Sequence, residues 1–236
     1  YVNLGVPIGN GIDVKLGKMV SLVGYEATES PANWQFSRSD AFRLAPATQM
    51  GATFGYQWND TVTTTAGVIN GLDSLAMNAG ADAVNAIGTA GLGSGNFNRS
   101  LAFVGRVDVN GPKTSWGDFN AFVAGFYGNE NPSFGLNTSN DQITHIWDIG
   151  GLWNKPFNVK PLALGIDYLY RNSAYSNLSA VGAGGVGGAS LDASALSVYG
   201  KWDWNKWFTT SGRFSSSWYR NPGAPAAAGG LATASL

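Results

Sequence analysis

The stretch WDWNKWFTTSGRFSSSW, Trp202 to Trp218, sets three tryptophans and a phenylalanine around Asn205-Lys206, and beyond Phe208 the residues alternate without a break. Phe208, Thr210, Gly212, Phe214, Ser216 and Trp218 share one face; Thr209, Ser211, Arg213, Ser215 and Ser217 share the other. A period of two is the signature of a strand with chemically different sides. Asn205-Lys206 reads as a tight turn, and the strand before it alternates in the same way. There Leu196, Val198, Trp202 and Trp204 oppose Ser197, Tyr199, Lys201 and Asp203.

Working outward, the same period recurs along the chain. Leu162, Leu164, Ile166, Tyr168 and Tyr170 oppose Ala163, Gly165, Asp167 and Arg171; Leu101, Phe103, Val107 and Val109 oppose Ala102, Arg106 and Asp108. Met50, Ala52, Phe54, Tyr56 and Trp58 oppose Gln49, Gly51, Thr53 and Gln57. About eleven strands follow from this pattern: 1–8, 12–24, 45–58, 61–70, 99–110, 118–128, 143–153, 158–171, 192–204, 207–219 and 231–236. Short connections (Gly9 to Gly11, Asn59-Asp60, Gly111 to Gly117, Asn154 to Phe157, Asn205-Lys206) alternate with long Gly-, Ala-, Ser- and Asn-rich ones at 25–44, 71–98, 129–142, 172–190 and 221–230. An up-and-down antiparallel meander with all short turns at one end is the pattern of a transmembrane β-barrel, short periplasmic turns opposite long outer loops. Bacterial single-chain barrels have an even strand count. The odd count, and a first residue, Tyr1, already inside an alternating run, lead us to expect one barrel domain over 1–236, incomplete at both ends.

Composition agrees. The chain has 236 residues, 14 Lys plus Arg against 15 Asp plus Glu, 12% charged residues and 13% aromatics. Charge is about half of what soluble domains carry, and the near-neutral balance gives no reason to expect nucleic acid as a partner. Cysteine is absent, so disulfides and thiolate metal sites are not available. No run approaches the ~20 apolar residues of a membrane helix.

Six of the nine tryptophans, Trp58, Trp116, Trp153, Trp202, Trp204 and Trp207, stand beside short turns. Amphipathic rings collect at the membrane–water boundary and form girdles on such barrels. On this reading WDWNKWF is a periplasmic turn whose rings lie among lipid headgroups.

Residues 1–44 carry NLxxPxGNGxDVKxGK (Asn3 to Lys18), LxGYE (Leu22 to Glu26) and SPANWxxSRS (Ser30 to Ser39), followed by TxTAGVINGLD (Thr63 to Asp73). In these motifs the chain resembles the β-barrel porin-2 family, the OmpL-like porins of Gram-negative bacteria. The resemblance implies an outer-membrane barrel and suggests a channel; it carries over no catalytic residues. It also marks 25–44 as a long segment between strands that folds inward or caps the opening.

Parity places Asp13, Lys15, Arg106, Asp108, Asp148, Asp167, Arg171, Lys201, Asp203 and Arg213 on the polar, pore-lining face. Facing lipid near mid-bilayer would cost roughly 2–4 kcal/mol for Lys or Arg, so a watery or counter-charged lumen is the favourable place. Five acids against five bases argue against strong ion selectivity, and pairing across strands would brace the wall. Lys18 breaks the pattern, sharing parity with Leu16 and Val20; a bulge near Gly17 would turn it inward. Glu26, Glu29, Arg38, Asp40 and Arg43 in segment 25–44 would narrow the pore if its acids and arginines face one another there. Glu26 and Glu29 have no supporting constellation for hydrolysis, the lone His145 makes neither triad nor metal site, and the GxGxxG at 182–187 lacks a βαβ context. No cofactor, metal or catalytic residue is expected.

The function expected is a passive porin for small hydrophilic solutes or ions in the bacterial outer membrane, with trimers the expected association. The alternatives are the same barrel as a non-conducting envelope scaffold, and a soluble β-protein whose tryptophans stack on carbohydrate.

Overall fold

Residues 1–69, 101–112, 114–129, 143–175 and 189–220 are described by the structure, a computed structural model. Ten strands form one antiparallel sheet in sequence order. They are β1 (Val2–Val6), β2 (Ile12–Val20), β3 (Thr48–Gln57), β4 (Val62–Ile69), β5 (Ala102–Asn110), β6 (Asp118–Asn129), β7 (Ile143–Asn154), β8 (Leu162–Tyr175), β9 (Ala189–Asp203) and β10 (Thr209–Arg220). Each pairs with its sequence neighbour, and β1 and β10 are the two edges of the described sheet. The expected strand 231–236 and the expected connections 71–98 and 221–230 lie outside the described residues, as do 130–142 and 176–188 of the other two. β8 and β9 reach further into the last of these than expected, staying paired out to Tyr175↔Ala189.

The two faces differ as the alternation demands. Phe103, Val107, Val123, Ile149, Ile166, Val198 and Phe214 are exposed on one side. A water-soluble sheet would cover such a face with a second layer. The opposite, inner face carries Ala102, Val104, Phe122, Ala124, Ile146, Leu169, Ala195 and Tyr199, all buried. What buries them is the connection between β2 and β3. β2 was expected to run to 24 and β3 to begin at 45, but both stop short because residues 21–47 leave the sheet. Their neck is closed by the Ser21 amide donating to the Ala47 carbonyl at 3.2 Å. Beyond it, the segment forms a 3-10 turn, Ser30–Ala32, and a short helix α1, Asp40–Leu44. Ser39 caps α1 by accepting from the Phe42 amide at 3.1 Å. Ala41, Leu44, Ala45 and Val23 then join the apolar cluster on the inner face.

Lys18 does not turn inward. The register runs unbroken through Gly17↔Gly51 and Lys18↔Met50, without a bulge, and Lys18 is exposed on the outer face between Leu16 and Val20. It lies two residues from the strand end at Val20. From there a long aliphatic stem can carry the ammonium to the interface.

The turn at Asn205-Lys206 is wider than a two-residue hairpin, because the Asn205 side chain closes it. Its Oδ1 accepts the Trp207 and Phe208 amides at 2.8 and 2.9 Å. The Trp204 amide donates to the Phe208 carbonyl at 3.0 Å. The turn between β3 and β4 is built the same way. Asn59 Oδ1 accepts the Thr61 and Val62 amides, both at 2.8 Å, and the Trp58 amide donates to the Val62 carbonyl at 3.0 Å. In both turns the indole reaches six residues ahead, Trp58 Nε1 to Thr64 Oγ1 at 2.9 Å and Trp204 Nε1 to Thr210 Oγ1 at 3.0 Å. WNDTVTT (58–64) and WNKWFTT (204–210) are thus two copies of one device.

Candidate functional site

Residues 21–47 lie across the inner face as a strap, and four of the ten inner-face charges, Arg106, Asp148, Arg171 and Arg213, bond to it there. On β5, Arg106 Nη1 donates to the Leu22 and Gly24 carbonyls at 3.0 and 3.1 Å, while its guanidinium sits 3.8 Å from the Phe122 ring centroid. On β7, Asp148 Oδ2 accepts the Gly24 amide at 2.6 Å. Gly24 adopts φ +120° here, a backbone conformation that favours glycine. On β8, Arg171 donates to the Leu44 carbonyl at 3.2 Å.

The far end is fastened by β10. Arg213 Nη1 reaches Glu26 Oε1 at 3.0 Å and the Ser37 carbonyl at 2.7 Å; its Nη2 reaches Ser37 Oγ at 3.1 Å and the Arg38 carbonyl at 2.8 Å. The second Glu26 oxygen accepts the Ser39 amide at 3.0 Å. Ser215 accepts the Asp40 amide at 2.9 Å, and Ser211 donates to the Trp34 carbonyl at 2.6 Å. Tyr25 fills the middle, its ring 4.8 Å from that of Tyr199 and 6.4 Å from that of Phe122. Burial, reinforced by Asp167 and Glu26, pushes its hydroxyl up to about 12, so the ring stays neutral.

The strand registers set these charges on one face of the sheet. Three ion pairs among the described residues run along a strand. Asp13 and Lys15 are 3.7 Å apart on β2, Arg106 and Asp108 2.9 Å on β5, Lys201 and Asp203 3.3 Å on β9. Residues two apart on a strand point the same way, which brings these partners together. Asp148 and Asp167 lie on adjacent strands and are each 1% exposed.

Within the strap, acids and arginines do not face one another. Glu26, with a side chain 3% exposed, takes its counter-charge from Arg213 of the sheet. Arg38 turns back to the Thr28 carbonyl at 2.6 Å and Ser30 Oγ at 3.2 Å; Glu29 and Arg43 are exposed. The buried and exposed glutamates therefore form no carboxylate pair.

At the short-turn end, Trp58, Trp116, Trp204 and Trp207 are exposed, and Trp116, Trp153 and Phe157 form one aromatic group with ring centroids 4.9 and 5.9 Å apart. A sheet with an apolar outer face, aromatic rings at its turns and an inner face packed by one of its own connections is the wall of a barrel. The family model described as "Putative beta-barrel porin-2, OmpL-like" matches residues 1–235. The chain belongs to this family. Membership in the porin-2 family implies an outer-membrane barrel and places the chain among porin-like proteins rather than in an enzyme family. No curated protein and no solved structure matches the chain.

Sequence reasoning missed the strap's anchors, Ser37, Ser39, Ser211, Ser215, Tyr25 and Tyr199. Only the SRS (Ser37 to Ser39) and LxGYE (Leu22 to Glu26) motifs of the family-like stretch touched on any of them. The partners lie up to 187 residues apart, beyond any local period. The paired Trp-Asn turns did leave a readable signal in the repeated W-N-x-x-apolar-T-T.

Proposed function

We propose that this chain forms an outer-membrane barrel through which small hydrophilic solutes and ions diffuse passively, past a constriction made by residues 21–47. The observation that carries the reading is the inversion of the sheet: apolar side chains exposed outward, polar and charged ones turned inward and held against the strap. A membrane on one side and water on the other satisfies both faces. Trp58, Trp116, Trp153, Trp202, Trp204 and Trp207 then sit in the headgroup layer at the periplasmic end. Passage needs no energy source; the inner face sets only size and field.

The test is single-channel recording of the full-length protein in planar lipid bilayers. Discrete, long-lived steps of weak ion preference are expected. The buried apolar cluster under the strap supports a second reading, a plugged barrel serving as an envelope scaffold. An inserted, folded protein that passes no current would favour that one.

A further inference from the structure

The inner face is not uniform. Across the middle of β6 to β9 it is apolar and covered, with Phe122, Phe126, Ile146, Leu169 and Tyr199 buried beneath the strap, while Asp108 and the Lys201–Asp203 pair stay partly exposed towards the strand ends. The wall of β2 to β4 is different. Its inner positions are Asp13 and Lys15 on β2, Gly51, Thr53 and Gly55 on β3, and Thr63, Thr65 and Gly67 on β4, brought level by the registers Asp13↔Gly55, Gly55↔Thr65 and Thr53↔Gly67. A cavity of about 140 Å³ lies against this wall, lined among others by Asp13, Lys15, Thr53, Gly55 and Thr65, and by Leu22 at the root of the strap. That is room for several waters. Among the described residues, Asp13 and Lys15 are the only oppositely charged inner pair of which both side chains are at least 40% exposed. The strap takes none of their hydrogen bonds among those described.

We propose that the solute path is off-centre, running along the β2–β4 wall, with the Asp13–Lys15 pair as its filter and the β5–β10 half closed by the strap. This rests on the channel reading above and deepens it. The wall offers the Thr65 hydroxyl, which can both donate and accept, the small Gly55 beside it, and one charge of each sign 3.7 Å apart. Such a lining suits small polar solutes and favours ions of neither sign over the other. Arg213, Asp148 and Arg171, though inner-face charges, would position the strap and touch no solute.

The chain has no cysteine, so one introduced thiol is a unique target. Thr65→Cys places it in the cavity, and Ala195→Cys, at a position 0% exposed under the strap, places it in the closed half. Both variants are recorded in planar bilayers while a charged, membrane-impermeant methanethiosulfonate reagent is added. We expect a stepwise fall in single-channel current for Thr65→Cys and none for Ala195→Cys. A block of Ala195→Cys alone would overturn the proposal by moving the path under the strap. Current unaffected in both, from channels that conduct, would overturn it by moving the path elsewhere. Absence of any current in the wild-type protein would overturn the channel reading itself, and the path with it.

Discussion

Replacing Arg213 by alanine removes the side chain that fastens the strap most heavily. Four hydrogen bonds to residues 26–38 go with it, and Glu26, whose side chain is 3% exposed in the intact protein, keeps the Ser39 amide as its one hydrogen-bond partner among the described residues. Breaking a buried ion pair from one side costs roughly 3–5 kcal/mol, most of it the penalty on the stranded charge. Arg213 is itself 12% exposed, so some water reaches the site and the lower end, about 3 kcal/mol, is the better figure. At about 1.4 kcal/mol per decade this shifts the ratio of docked to released strap by roughly two orders of magnitude. Two assays read it. Trypsin cleavage at Arg38 and Arg43 should accelerate by up to about 100-fold, as cleavage tracks the open population, and single-channel current should rise. Adding Glu26→Gln to Arg213→Ala should return part of the loss, because the stranded charge is gone; the double-mutant cycle isolates the pair. Cleavage and current unchanged in Arg213→Ala would refute the claim that this pair holds the strap.

Four further outcomes follow from the same geometry. At Gly165 an added Cβ would stand 2.6 Å from the Tyr25 hydroxyl, so Gly165→Val should displace Tyr25 and increase trypsin cleavage of the strap while the sheet remains folded. At Gly55 a Cβ would meet only ordinary contacts, 3.5 Å from Thr65 Oγ1 and 3.6 Å from Asp13 Cβ; Gly55→Leu should therefore reduce single-channel current without lowering the unfolding midpoint in urea. Lys15→Glu sets two acids side by side in the cavity and should move the reversal potential in a salt gradient toward cation preference, whereas an unchanged potential would remove the pair from the path. Ile149→Arg, on the exposed apolar face at the middle of β7, should cost about 2–4 kcal/mol of folding stability in liposomes, and a neutral result would argue that this face does not meet lipid.

How far the sequence could be read depended on the range of the interaction. The strands were legible because each alternates between Phe, Val, Ile or Trp on one side and Ser, Thr, Asp, Arg or Gly on the other, a difference that registers within a few residues. Phe214 outward and Arg213 inward needed only their spacing. Segment 21–47 has no period, and its position is decided by groups far away: Gly24 meets Asp148 across 124 residues and Glu26 meets Arg213 across 187. The charges were legible as a face but not as contacts. Parity put Arg106 and Arg213 inward, yet only the fold shows Arg106 spent on strap carbonyls while Lys15 keeps an open side chain. Lys18 failed for a related reason, since position along the strand, not parity alone, decides whether a charge can reach water.

The two Trp-Asn turns bear on how the sheet comes together. Each closes itself with groups no more than six residues apart: an asparagine carbonyl on two amides, an indole on a threonine hydroxyl. Closing so small a loop carries little entropic cost compared with joining distant strands. The hairpins β3–β4 and β9–β10 can therefore set their registers from the turn outward before neighbouring strands arrive, each a local template on which the next strand is laid. A one-residue slip would turn every apolar side chain inward. The indole and asparagine of each turn thus act as register pins, and transplanting either seven-residue turn into another hairpin should carry its alignment along.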